Sequence, residues 1–219
     1  MLSPLQERVA RIVAGLSEAE GFALAGGAAL IVSHVIDRAT LDLDFFGPSA
    51  DEVDRLVPVV ESALRAAGFK VRRERASHGF ARLTVIDRGE VTEVDLAADA
   101  RIRPVDNGPL GPTLSLEELA ADKLLALFDR AQARDFVDVA ALAQRFSLGR
   151  LCDLASEKDS GFSRTVLVEM LGSFHRFAPG DFDLPADAYA RLARSVELWR
   201  HELASDEPPV EPPAPGIER

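Results

Sequence analysis

Residues 40–46 read Thr-Leu-Asp-Leu-Asp-Phe-Phe, two carboxylates set one residue apart in an otherwise apolar, β-forming run. Successive side chains of a strand point to opposite faces, so Leu41, Leu43 and Phe45 are expected to face a core. Asp42 and Asp44 then share the other face, with Cα atoms roughly 7 Å apart. Carboxylates that close repel, and partial burial raises the cost. Taken alone, the pair fits either a solvent-facing sheet edge or a site where a cation sits between the two acids. Hard oxygen ligands of this kind suit Mg²⁺, with Mn²⁺ as the alternative, and Mg²⁺ commonly shares its coordination with substrate phosphates.

Just upstream, Gly26 and Gly27 sit where a short strand, "FALAG", gives way to the apolar helix "GAALIVSHVI". A glycine pair there is either a tight corner or a place where a phosphate approaches the backbone closely. Arg38 and Thr40 lie on the connection into the aspartate strand and add a cation and a hydroxyl. A third acid is expected where two metal ions act together. "EVTEVDLAAD" supplies Asp95 between Val94 and Leu96, with Glu93 and Asp99 as alternatives. Farther along, Lys123 falls on the apolar face of a helix with Leu116, Leu119 and Leu127. It either snorkels to water or reaches into a cleft to meet phosphate. Arg134, Asp135 and Asp138 follow on the next helix, where the acids either orient Lys123 or a nucleotide, or are solvated.

The elements around these residues divide the chain. Ser3 with Pro4 and Gln6, Ser49 with Glu52, and Ser115 with Glu118 are helix starts. Strands are expected near "FKVRRER", "FARLTVI" and "EVTEVDLA", the last two joined through "DRGE". "RIRPVDNGPLGPT" holds three prolines and two glycines and reads as a boundary. Beyond it, helical spacing dominates: 116–129, 132–146, 150–157, 164–175 and 186–203. The expectation is an α+β protein, with a mixed-sheet domain over 1–110, a helical domain over 111–204 and a disordered Pro-rich tail over 205–219.

A single cysteine precludes an internal disulfide. No secretory h-region or run long enough to span a membrane is present, which points to a soluble, cytoplasmic protein with no membrane partner. The net charge of −11 argues against a general nucleic-acid coat. Residues 65–82 nonetheless concentrate Arg65, Lys70, Arg72, Arg73, Arg75 and Arg82 against Glu74 alone, either a solvated strand edge or a contact for RNA phosphates.

Together, "GGAAL…DRATLDLDFF", "VDLAAD" and "DKLLALFDRAQARDFVDVAAL" resemble the AbiEii/AbiGii (MenT-like) nucleotidyltransferase toxins of type IV toxin–antitoxin systems, over roughly residues 20–145. The resemblance implies a DNA-polymerase-β-like nucleotidyltransferase domain followed by helices. It also implies metal binding by Asp42, Asp44 and Asp95, with Asp42, Asp44, Asp95, Lys123 and Asp135 catalytic. Gly26, Gly27, Arg38, Thr40, Lys123 and Arg134 would bind nucleotide. It further implies an NTP substrate, an acceptor such as the 3′ end of tRNA, and a cognate antitoxin partner. Relatives silenced by phosphorylation of the motif Ser or Thr make Thr40 the corresponding position here. Ala28 departs from the pattern, because relatives often carry a hydroxyl residue there. The alternatives are transfer to a protein or small molecule, or a non-catalytic module that senses nucleotide.

Overall fold

The computed structural model describes residues 1–205 and joins a mixed sheet to a layer of helices. The first helix, α1 (Pro4–Ala14), starts where the Ser3 hydroxyl accepts from the Gln6 N–H at 3.1 Å and the Gln6 side chain accepts from the Ser3 N–H at 2.9 Å. Next come β1 (Ala23–Ala25), α2 (Gly26–Val32), β2 (Asp42–Gly47) and α3 (Ala50–Ala66). The α2 helix is shorter than its apolar pattern suggests. The chain leaves it through Ser33 and through His34, whose φ of 55° is left-handed.

β3 (Lys70–Ser77), β4 (Phe80–Asp87) and β5 (Glu90–Ala98) form an antiparallel meander. Its second turn places Arg88 and Gly89 at φ 49° and 92°, the hand that matches strand twist in a tight hairpin. β6 (Val105–Gly108) and β7 (Gly111–Leu114) make a further hairpin. Among the described residues the seven strands order as β3-β4-β5-β2-β1-β7-β6. β2 runs parallel to β5, and β1 parallel to β7.

The β6–β7 hairpin corrects the expected boundary. A division after residue 110 cuts that hairpin, and β7 pairs with β1, so the sheet extends to Leu114 and the helical layer begins at Ser115. That layer is α4 (Leu116–Arg130), α5 (Ala133–Leu142), α6 (Leu148–Lys158), α7 (Arg164–Gly172) and α8 (Ala186–Ser205). Ser205 closes α8, and the rest of the expected tail, 206–219, lies outside the described residues.

Sheet alternation decides what faces where. Leu43, Phe45, Leu83, Val85, Val94 and Leu96 are buried on the face covered by α1 and α3. Leu41 was expected to join them but is 83% exposed, because the strand starts one residue later, at Asp42. The same core continues between the helices, where Phe136 meets Phe174, Phe177 and Phe182 edge-on.

Candidate active site

The other face of β2 carries Asp42, Asp44 and Phe46 into a cleft of about 450 Å³ between the sheet and α4. Parallel pairing sets Asp44 directly opposite Asp95 on β5, so acids more than fifty residues apart share one row. Thr40 donates its hydroxyl to Asp42 Oδ1 at 2.8 Å and so fixes that carboxylate.

Asp44 is packed against the Gly-Gly turn. Gly26 has a φ of +61°, and a Cβ added there would lie 1.8 Å from Asp44 Oδ2. Both the backbone conformation and the contact require glycine. A Cβ on Gly27 would lie 2.9 Å from the Thr40 hydroxyl, so the turn, Thr40 and both aspartates form one close-packed unit. Burial, and then the charges of Asp42 and Asp95, push the Asp44 carboxyl up from 3.8 to about 7, against the opposing pull of Lys123 and Arg134. The charges of Asp42 and Asp95 bearing on the buried Asp44 are a strain that a divalent cation would relieve. Among the described residues, though, the carboxylate oxygens within 4.8 Å of one another are those of Asp99, Glu118 and Asp122, not these three.

Cations line the same cleft. Lys123 does not snorkel. Its ammonium lies 2.9 Å from Asp138, whose side chain is fully buried. Asp138 also takes the Arg38 guanidinium through contacts of 2.7, 2.9 and 3.1 Å. One hidden carboxylate thus sets two cleft cations, one from the loop before β2 and one from α4. Arg134 lines the cleft and is exposed, with no hydrogen-bond or ion-pair partner among the described residues.

Asp135, expected in a catalytic role, does not line the cleft. It is fully buried, bonds the Arg130 guanidinium at 2.9 and 3.0 Å, and accepts from the Gln132 N–H at the start of α5. The physical reason is α5 itself, which buries Phe136 and Val139 and turns Asp135 inward. Asp135 therefore holds Arg130, which does line the cleft. Asp95 is also engaged, since both its oxygens accept from Arg82, at 2.8 and 2.6 Å.

Of the six cations in the segment 65–82, Arg65 and Arg73 are bound to Glu61, Arg72 to Glu74, and Arg82 to Asp95 and Glu93.

Local pattern missed two pairings: it counted Arg82 only among the cations of 65–82, and it did not single out Lys158. Arg82 could have been found by counting back from the "DRGE" turn, because the Asp87–Glu90 pair sets Arg82 opposite Asp95. Lys158 carries no such signal, reading as an ordinary lysine at a helix end. Its ammonium bonds Asp99 at 2.6 Å, Glu118 at 2.7 Å and Asp122. Burial opposes its charge, but the three acids outweigh burial and raise its pKa. Burial likewise raises Asp122 to about 6, with Lys158 restraining the rise. Asp99, Glu118 and Asp122 have the mutual spacing of metal ligands, with oxygens within 4.8 Å of one another. The Lys158 ammonium already occupies the point where an ion would sit. Glu118 also accepts the Ile102 and Arg103 N–H groups, so this cluster fastens α6 and α4 to the end of β5.

Residues 11–216 match the family model described as nucleotidyl transferase AbiEii toxin, type IV TA system. Two solved structures share the fold. One is JHP933 from Helicobacter pylori, with a TM-score of 0.53 and 20% identity, covering 94% of this chain and 96% of that one. The other is an H. pylori protein with a provisional nucleotidyltransferase assignment, with a TM-score of 0.56 and 20% identity, covering 93% and 95%. No curated protein sequence matches the chain.

Proposed function

Because the chain belongs to the AbiEii family of nucleotidyl transferase toxins of type IV toxin–antitoxin systems, we propose that it transfers a nucleotide from a nucleoside triphosphate to the 3′ hydroxyl of tRNA. The new bond joins the acceptor oxygen to the α-phosphorus. The bond between the α-phosphorus and the bridging oxygen breaks, pyrophosphate leaves, and the acceptor hydroxyl gives its proton to water or a cleft carboxylate. The observation that carries this reading is the row of carboxylates on β2 and β5, packed on a glycine turn and faced by cations across one cleft.

Asp42, Asp44 and Asp95 would hold Mg²⁺ or Mn²⁺, and the raised Asp44 carboxyl supports the fit. Bound there, the ion would offset phosphate charge and polarise the acceptor hydroxyl. The chain's own residues supply position and charge. Gly26 and Gly27 leave room for a phosphate at the backbone. Lys123, held by Asp138, and the exposed Arg134 neutralise the β- and γ-phosphates. Arg38 sits beside them on the same carboxylate, and Thr40 keeps Asp42 in place. Arg82 must share Asp95 with any ion. Its guanidinium also meets Glu93 at 3.1 Å, which gives it a second carboxylate to rest on.

The retained set of three acids weighs against a nucleotide-sensing module that has lost catalysis. The family further points to a cognate antitoxin as protein partner, with Thr40 a position it would control.

The test is incubation with each labelled NTP and total RNA, beside Asp42→Ala. Label in RNA, lost in the variant, is the expected result. The variant should lose about 100-fold or more, from removal of one key electrostatic group. Undiminished transfer by folded Asp42→Ala would refute the assignment, and label in protein or in a small molecule would replace the acceptor.

A further inference from the structure

We propose that the uncovered face of β4 and β3 is the shelf on which a single-stranded RNA acceptor lies as its 3′ end enters the cleft. This rests on the RNA-acceptor reading above. Strand register places the residues: Asp44 is opposite Asp95, Asp95 opposite Arg82, and Arg82 opposite Arg75. Directly opposed residues share a face, so one row runs from the catalytic acids to the sheet edge and ends in arginine. At about 4.8 Å per strand, Arg75 stands roughly 10 Å from Asp95 along this row. That is the length of about three stacked nucleotides at roughly 3.4 Å each.

A β-bulge makes the row. The β3–β4 register shifts between Arg73 and Arg75. Two residues apart in a regular strand, these arginines would point the same way. Instead Arg73 turns to the covered face, where its guanidinium lies 2.7 Å from Glu61 of α3. Arg75 turns to the open face beside Arg82. Bulges beside active sites re-aim side chains in this manner. Arg72, opposite Thr84, is also on the open face, where Glu74 pairs with it at 2.5 Å.

Aromatic rings flank the arginines. The next row along the strands holds Phe46, Ala97 and Phe80. The Arg75 guanidinium lies 5.9 Å from the Phe80 ring centre. Phe46 lines the cleft itself. Cations tracking a backbone, with π-faces for bases, are what single-stranded nucleic acid binds without sequence preference. In a chain of net charge −11, such binding must come from a local strip of this kind. Arg75 suits the role, because among the described residues its recorded partner is the Phe80 ring and no carboxylate.

The experiment measures binding of a 5′-fluorescein-labelled single-stranded RNA with a free 3′ hydroxyl to the full chain, by anisotropy across a salt series without NTP. Arg75→Ala should lower the log–log salt slope by about 0.7, and Arg72→Ala/Arg75→Ala by about 0.7 to 1.4, because Glu74 already holds Arg72. The double variant should bind about tenfold more weakly, and Arg75→Lys should keep the wild-type slope. Arg55→Ala, on α3 over the covered face, should change neither quantity. In transfer assays the double variant should raise the RNA KM while leaving the NTP KM and the kcat at saturating RNA unchanged. Wild-type affinity and slope in the double variant, or no RNA binding by wild type, would overturn the shelf. RNA labelling with an unchanged RNA KM in the double variant refutes the shelf and leaves the acceptor reading standing. Labelling of protein instead removes the acceptor reading and the shelf with it.

Discussion

Replacing Asp44 by asparagine is expected to stabilise the metal-free protein while removing its chemistry. The side chain keeps its shape against Gly26, so the change is one of charge. In the folded protein the Asp44 carboxyl is raised from 3.8 to about 7 by burial and by Asp42 and Asp95. At about 1.4 kcal/mol per pH unit, that rise corresponds to about 4 kcal/mol of destabilisation once the group is ionised. Relaxation into the open cleft reduces this, and a net gain of about 2 kcal/mol is expected from neutralising the position. The sign follows from linkage. An acid whose folded pKa lies above its unfolded value costs nothing below about pH 4. The cost grows as pH rises towards 7 and is constant above it. Urea unfolding in EDTA at pH 5 and pH 8 reads this directly. Asp44→Asn should exceed wild type at pH 8 by about 2 kcal/mol and by less than half of that at pH 5. Mg²⁺ should then stabilise wild type and leave the variant nearly unchanged. A variant no more stable than wild type at pH 8, or a gap that ignores pH, would refute the charge-crowding argument.

Gly26→Ala should cost about 1–2 kcal/mol from the left-handed backbone alone. Because its Cβ would collide with Asp44 Oδ2, nucleotide transfer should also fall at least 100-fold, and near-normal kcat/KM would show that Asp44 need not sit there. Lys158→Met removes the ammonium shared by Asp99, Glu118 and Asp122. Denaturation should show a loss of about 3 kcal/mol or more, as for a buried ion pair stripped of one partner. That loss should shrink on adding Ca²⁺ if the vacated carboxylates then accept an ion.

The chain's local patterns announced most of its helices and the strands up to β5, together with the candidate residues of the cleft. Alternation in "TLDLDFF" put Asp42 and Asp44 on one face, and the Gly-Gly turn marked the point of close approach. Both are readable because they depend on neighbours a few residues apart. Partnerships between distant segments were not readable. Asp135 and Asp138 lie three apart on one helix, and spacing alone could not tell which meets Lys123. Only the packing of α5 against the helical core decided that. The same holds for the Lys158 cluster, whose four charges come from three separate segments, and for the β7 strand that carried the sheet past its expected end. Periodicity is set by backbone geometry within a few residues. Charge pairing, burial and strand order are set by which surfaces the folded chain brings together, and here those alone determined how Arg38, Arg82, Lys123 and Arg130 are held.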